Sequence, residues 1–174
     1  MTLPLPGVAL ADHSPWVERL SDWGYTDLWT AEVAGADAFT PLAAAATWSR
    51  DLRLGTAIAS VFARGPALLA MQAAAMADLA PGRFVLGVGS SSAQVVEGWQ
   101  GGQWDRPYAR VRDTLDFLRR ALAGERVDAE FETFKVRGFR LERPPSTPPE
   151  IMVAALLPRM LALAGSRRTT EPSR

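Results

Sequence analysis

Three strand-then-helix patterns follow one another along the first half of the chain, at a spacing of about thirty residues. Strand candidates lie at 26–31, 52–59 and 83–89, and a helix candidate opened by proline follows each of the first two. Strands that alternate with helices in this way are typical of parallel β/α units. The pattern therefore predicts an α/β protein with a parallel sheet, either an open doubly wound sheet or part of a β/α barrel.

The remaining segments extend this pattern. Residues 2–10 predict a short first strand, and Ser14 and Pro15 predict the start of a helix that Gly24 ends. Residues 125–141 alternate in the manner of a β-hairpin, and residues 150–156 predict a fifth parallel strand. Three tryptophans fall at helix positions, so we expect them in the core: Trp16, Trp23 and Trp48.

Domain organisation follows from where apolar side chains stop. Residues 1–165 are expected to form one β/α domain, which is incomplete as a barrel. Residues 166–174 carry no apolar side chain, so we expect a disordered tail there.

Composition excludes several classes of protein. The 174 residues are 48% hydrophobic, with 19 acidic against 19 basic side chains, as in an ordinary globular chain. No long basic run predicts nucleic-acid binding, and no apolar run predicts a membrane span or a signal peptide, so a cytoplasmic location is expected. Cysteine is absent and His13 is the single histidine, which argues against a metal site and a Ser-His-Asp hydrolase.

The stretch RFVLGVGSSS, residues 83–92, runs from an apolar strand into glycines and serines. A dinucleotide-binding fingerprint requires a third glycine at the position of Ser92 and an acidic residue at the end of a second strand about 20 residues later. Neither is present. A Rossmann fold is therefore the weaker of the two architectures.

Three segments resemble the luciferase-like monooxygenase superfamily, and within it the coenzyme F420-dependent oxidoreductases. They are GTAI with the following ARGP, the strand APGRFVLGVG with its serine loop, and the run from EGW through RP. The resemblance covers roughly residues 7–165. It implies a (β/α)8 barrel that binds coenzyme F420, or alternatively FMN, at the carboxyl ends of the strands, and transfers hydride at the cofactor ring.

The resemblance also implies site residues. The end of the third strand is expected to bulge behind the cofactor ring, often with a cis peptide, and the loop after the fourth strand is expected beside the cofactor. The implied cofactor-binding residues are Ser60, Val61, Gly89, Ser90 and Ser91, and the implied catalytic residue is Glu32, as a general base or a substrate-orienting group. The alternative is structural: Gly87 and Gly89 let the strand bend and Ser90 caps the next helix.

The substrate is expected to be a small molecule. Glu97, Trp99 and Trp104 follow the serine loop and are expected on the substrate side. Sugar-phosphate dehydrogenases of the superfamily carry histidine where this chain has Glu32, and glutamate where it has Ser92. Both departures argue against a sugar-phosphate substrate.

The chain reaches five of the eight strands of such a barrel. We interpret this as a truncated or frame-shifted reading frame rather than a short natural paralogue. Besides an active oxidoreductase that uses F420, the alternative functions are a non-catalytic half-barrel remnant and an FMN-dependent monooxygenase that acts on paired donors with O2. Unpaired edge strands predict a homo-oligomer or an aggregation-prone chain.

Overall fold

A computed structural model describes residues 1–165, and the tail predicted at 166–174 lies outside this part of the chain. A 3-10 turn at Leu10–His13 precedes the first helix. The strands are β1 (Thr2–Leu3), β2 (Asp27–Ala31), β3 (Arg53–Ser60), β4 (Phe84–Gly89), β5 (Val127–Glu130), β6 (Lys135–Phe139) and β7 (Glu150–Val153). The helices are α1 (Ser14–Val17), α2 (Thr40–Trp48), α3 (Pro66–Leu79), α4 (Ala93–Val96), α5 (Pro107–Leu122) and α6 (Pro158–Gly165).

The main sheet has five strands in the order β1-β2-β3-β4-β7, and all neighbours are parallel. Strands β5 and β6 form a separate antiparallel hairpin before β7. The strands follow chain order without a reversal around the first strand, which excludes the doubly wound alternative. The prediction of five parallel β/α units of a barrel, with a hairpin inserted before the fifth strand, is confirmed.

One face of the sheet forms the core with the helices. Leu28 lies opposite Leu54, and Leu54 lies opposite Phe84, so a row of buried side chains crosses β2, β3 and β4. Helices α2 and α3 contribute mainly alanines to this core, and small residues let helix and sheet pack closely. Helix α5 buries an apolar stripe on one face, formed by Val111, Leu115, Leu118 and Leu122.

The other face of the sheet is partly open. Ile58 is 38% exposed and Met152 is 42% exposed on this side. Near the amino ends of the strands the Trp29 ring covers Gly55, and a Cβ at position 55 would clash with that ring. Within residues 1–165, no helix is both long and apolar enough to span a bilayer.

The region before β2 differs from its sequence prediction. Helix α1 ends at Val17, and turns continue to Gly24, which adopts a left-handed φ of +82°. Trp16 and Trp23 are 49% and 46% exposed, so their assignment to the core is wrong. Val17 and Leu20 fill the core from this segment, and the two tryptophan rings contact each other on the surface with centroids 6.4 Å apart. Trp48 is half-buried against the core as expected.

The Thr56 side chain supplies hydrogen bonds where the pairing of β3 with β4 is irregular. The pairing of β3 with β4 shifts between Gly55 and Ala59. There the buried Thr56 hydroxyl donates to the Gly87 carbonyl and accepts from the Gly87 amide, both at 2.8 Å. The side chain thus replaces a missing backbone partner of β4. A Cβ at position 87 would clash with the Thr56 carbonyl, so glycine is needed at this close approach.

We predict that Thr56→Val lowers the free energy of unfolding by about 2–3 kcal/mol, because two buried backbone groups of Gly87 lose their partner. Thr56→Ser is the matched control, since it keeps the hydroxyl and removes one methyl group, at about 1 kcal/mol. Urea denaturation monitored by circular dichroism measures both. Equal losses for the two variants would contradict this role of the hydroxyl.

Candidate functional site

The carboxyl ends of β2, β3 and β4 lie side by side at one edge of the sheet. Ser60 at the end of β3 lies opposite Gly89 at the end of β4, and the Val61 amide donates to the Gly89 carbonyl at 3.0 Å. Glu32 directly follows β2, and its Oε2 accepts from the Ser60 amide at 3.3 Å. The structure therefore brings four of the predicted site residues into one hydrogen-bonded group.

Ser60 shapes the loop after β3. Its hydroxyl accepts hydrogen bonds from the amides of Phe62 and Ala63, both at 3.3 Å, so it forms a local turn. Ser60 is 4% exposed and Val61 is 1% exposed, and the Val61 side chain packs in the core. What this segment can present to a ligand is therefore mainly its backbone. The Ser60–Val61 peptide is trans, and the cis bond within residues 1–165 is Leu3–Pro4.

Glu32 is engaged by an arginine that the sequence analysis did not single out. Arg64 Nη1 and Nη2 donate to Glu32 Oε2 and Oε1, each at 2.5 Å, and the two side chains are 10% and 12% exposed. The Arg64 guanidinium also lies over the Phe39 ring at 5.2 Å. This two-pronged geometry fixes the position of the carboxylate. Arg64 belongs to the ARGP segment, so a signal for it was present in the sequence.

The loop after β2 is held at the start of α2. Asp37 Oδ1 accepts from the amides of Phe39 and Thr40 at 2.8 and 3.0 Å, so Asp37 fixes the turn that leads into α2. Burial works against ionisation of this carboxyl, but the hydrogen bonds from Thr40 and Phe39 prevail and lower its pKa. Asp37 also lies 4.0 Å from Arg64. The loops after β2 and β3 are thus joined by charged groups.

The serine loop after β4 is held by an indole. Trp104 Nε1 donates to the Ser90 carbonyl at 3.0 Å, and the Trp104 amide donates to Glu97 Oε1 at 3.1 Å. Trp99 is 54% exposed and has no comparable tie. Trp104 and Glu97 therefore lie beside the loop and hold it in place, and their assignment to the substrate side stays a prediction.

The helix after this loop is capped by a different serine from the one expected. Ser92 accepts a hydrogen bond from the Val95 amide and is the cap of α4, so the assignment of the cap to Ser90 is wrong. Ser91 adopts a left-handed φ of +57°, which is costly for a residue with a side chain. Its hydroxyl has no hydrogen-bond partner among residues 1–165. This hydroxyl is therefore available to a ligand.

A second arginine, from α5, lies close to the site. Arg110 Nε donates to the Val61 carbonyl at 3.3 Å. Burial lowers the pKa of this guanidinium, and nearby Asp113 partly offsets that effect, although the group stays charged at neutral pH. The sequence contained no pattern that marked Arg110.

In residues 1–165, the side chains needed for histidine or metal chemistry do not occur at the carboxyl ends of β2, β3 and β4. His13 is fully buried near the amino terminus, where its ring nitrogens bond the Leu5 amide and the Ala9 carbonyl. No cluster of three metal-ligating side chains occurs in residues 1–165. A surface groove of about 400 Å³ lies between α3 and residues 139–143, and a smaller one of about 240 Å³ lies at the amino ends of the strands. Neither groove is lined by Glu32, Ser60 or Gly89.

Comparison with known proteins decides the family. The sequence profile described as luciferase-like monooxygenase matches residues 2–168, which is nearly the whole chain. The chain belongs to the luciferase-like monooxygenase family. A putative coenzyme F420-dependent oxidoreductase from Mycobacterium tuberculosis is 40% identical over 114 residues, which are 66% of this chain and 33% of that protein.

Solved structures of similar fold include the coenzyme F420-dependent tetrahydromethanopterin reductase from Methanopyrus kandleri. It has a TM-score of 0.82 at 19% identity, over 95% of this luciferase-like chain and 52% of the reductase. The FMN complex of the oxygenating constituent of 3,6-diketocamphane monooxygenase from Pseudomonas putida has a TM-score of 0.70 at 18% identity, over 85% and 47% of the two chains. The chain spans about a third to a half of the relatives that it matches.

We predict that Ser91→Gly raises the free energy of unfolding by about 0.5–1 kcal/mol, because glycine adopts the left-handed conformation without steric cost. Ser90→Gly is the matched control, since Ser90 has no such backbone, and the change adds chain entropy to the unfolded state and removes the hydrogen bond from the Ser90 hydroxyl to the Ser91 carbonyl. Chemical denaturation of both variants measures the effect. A destabilised Ser91→Gly variant would show that the Ser91 backbone is not strained.

Proposed function

We propose that this luciferase-like chain carries the cofactor-ring side of an oxidoreductase site that uses coenzyme F420, with FMN as the alternative. The observation that supports this most is the group formed by Ser60, Val61, Gly89 and Glu32 at the carboxyl ends of adjacent parallel strands. Catalytic groups of β/α barrels lie at this end. The F420-dependent relatives favour the deazaflavin, and the FMN-bound structure of similar fold motivates the alternative.

The residues present fit the flat ring of such a cofactor. Gly89 is buried, and the Ile58 and Ala154 side chains lie 2.9 and 3.1 Å from where its Cβ would be, so Ile58 covers the end of β4. Ile58 and Met152 offer exposed apolar contact, and Ser90 and Ser91 offer polar groups. When bound, the cofactor would supply hydride transfer to or from a small organic substrate.

Glu32 is proposed as the catalytic residue, acting as a general base or by orienting the substrate. Both of its oxygens bind Arg64, and Oε2 also binds the Ser60 amide. The carboxylate is therefore fixed in place. In the proposed function it orients a polar substrate group or accepts a proton from it, and Arg64 then keeps the second oxygen in position.

We predict that the 174-residue chain binds F420 weakly, with a dissociation constant above about 1 μM. The residues proposed for the ring side lie in this chain, but β/α barrels commonly hold phosphate on loops after strands seven and eight, and the main sheet described here has five strands. Each missing charge-assisted hydrogen bond removes about 1.5–3 kcal/mol of binding free energy. Fluorescence titration with F420 and, in parallel, with FMN measures this.

Matched variants identify the site in that titration. Ser91→Ala should weaken binding several-fold, by roughly the contribution of one hydrogen bond, whereas Ser92→Ala, which removes only the cap of α4, should not. Tighter binding of FMN than of F420 would select the alternative cofactor. Absence of binding to both would support a non-catalytic remnant, which the comparisons do not favour. Sub-micromolar affinity for F420 would contradict the expectation of weak binding.

We also propose that the chain acts in the cytoplasm on a small molecule, without nucleic-acid or membrane partners, and that it self-associates. Self-association is supported by the edge strand β7 and by exposed apolar residues such as Ile58, Met152 and Leu156. An unpaired strand edge and an apolar surface both favour contact with another chain.

We predict that sedimentation velocity at micromolar concentration shows dimers or larger species. Leu156 is 94% exposed beyond the end of β7, so Leu156→Glu should shift the distribution toward monomer. Leu79→Glu is the control, because Leu79 is also exposed, at 47%, but belongs to the end of α3. A monodisperse wild-type monomer that unfolds cooperatively would contradict the prediction.

A further inference from the structure

One turn of α5 carries two polar side chains, the buried Asp113 and the half-buried Arg110, that contact the turn of the β5–β6 hairpin. Asp113 is 4% exposed, and its Oδ2 accepts from both the amide and the hydroxyl of Thr133 at 2.9 Å. Its Oδ1 accepts from Arg112, at 2.6 Å from the nearer nitrogen. Thr133 lies in the hairpin turn, so Asp113 fixes this turn on the helix. Arg110 stands one turn before Asp113 and faces the same way.

Arg110 joins this turn to the site. Its Nη1 donates to the Thr133 carbonyl at 3.2 Å, and its Nε donates to the Val61 carbonyl at 3.3 Å. The guanidinium lies over the rings of Phe62 and Phe134, at 5.7 and 4.9 Å from their centroids. One side chain therefore contacts both the loop after β3 and the hairpin.

We propose that Arg110 is a positioning residue, which fixes the Ser60–Ala63 loop for cofactor binding by tying the Val61 carbonyl to the hairpin. This inference rests on the proposed function, because the loop matters to catalysis only if a cofactor binds there. Within residues 1–165, four groups form hydrogen bonds that hold this loop: the Gly89 carbonyl, the Ser60 hydroxyl, Glu32 and Arg110. Of these four, Arg110 is the group that does not belong to the main sheet or to its loops.

The chemistry requires arginine at this position. A planar guanidinium can donate in two directions and stack on aromatic rings at the same time, whereas the ammonium of lysine is a compact point charge. The two acceptors belong to segments that are 49 and 23 residues away in sequence from Arg110. Through Arg110, the hairpin that precedes β7 thus supports the loop after β3, which gives the hairpin a function at the site.

The test compares Arg110→Met with Arg159→Met in the full chain. Arg159 also stacks on an aromatic ring, that of Tyr108 at 4.5 Å, but it makes no contact with the loop after β3 in the described part of the chain. Hydrogen exchange of the Val61, Phe62 and Ala63 amides is measured by NMR without cofactor. F420 and FMN affinities are measured by fluorescence titration.

We expect Arg110→Met to speed exchange of these three amides about tenfold, as for loss of one hydrogen bond to a charged group, and to weaken cofactor binding by a similar factor. Arg159→Met should leave both unchanged. If Arg110→Met does not fold, Arg110→Lys serves instead, with a smaller change in the same direction. Unchanged exchange in a folded Arg110 variant, or equal changes in the Arg159 variant, would overturn the proposal.

The two readouts separate the two proposals. If the wild-type chain binds neither cofactor, the proposed function fails, and the exchange measurement still decides whether Arg110 holds the loop. If the wild-type chain binds and Arg110→Met exchanges faster but binds equally well, positioning for the cofactor is refuted while the proposed function stands.

Discussion

The site depends first on the parallel register of β2, β3 and β4. Parallel strands place all their carboxyl ends at one edge, and here the register sets Ser60 beside Gly89 and Ala31 beside Ile58. That register is held by the row of buried leucines and phenylalanine that crosses the sheet, because a shift by one residue would turn these side chains away from the helices. The side chains that pack the core therefore also fix the register that brings the site residues together.

The irregular stretch of β3 shows how the sheet adapts to the site. Pairing shifts on both sides of this strand, toward β2 near Ala31 and toward β4 before Ala59. The Thr56 hydroxyl supplies the hydrogen bonds that the shifted backbone cannot. Bulges of this kind re-aim a strand end, and here the strand leads into the tied Ser60 turn. The backbone hydrogen bonds lost between β3 and β4 are thus replaced by those of one buried side chain, Thr56.

Most polar side chains at the carboxyl ends of these strands bind other groups of the protein and hold the loops in place. Glu32 and Arg64 hold each other, Ser60 closes a turn, and Trp104 anchors the serine loop. Such a network keeps the loops in one arrangement, as a site needs if it is to meet a flat cofactor without reorganising. The ring of Phe117 contacts aromatic side chains of the hairpin and so packs the hairpin against α5.

Sequence alone determined the order of the elements, the parallel class and the segments that carry the site, because strand and helix periodicity and proline-opened helices are local properties. It also marked Glu32, Ser60 and Gly89 through their resemblance to a family. Only tertiary structure decided that Glu32 is bound by Arg64 and that Arg110 reaches the Val61 carbonyl, since these partners are 32 and 49 residues apart in sequence. It likewise left Trp16 and Trp23 on the surface, because helical spacing predicts a shared face but not which face finds a neighbour to pack against.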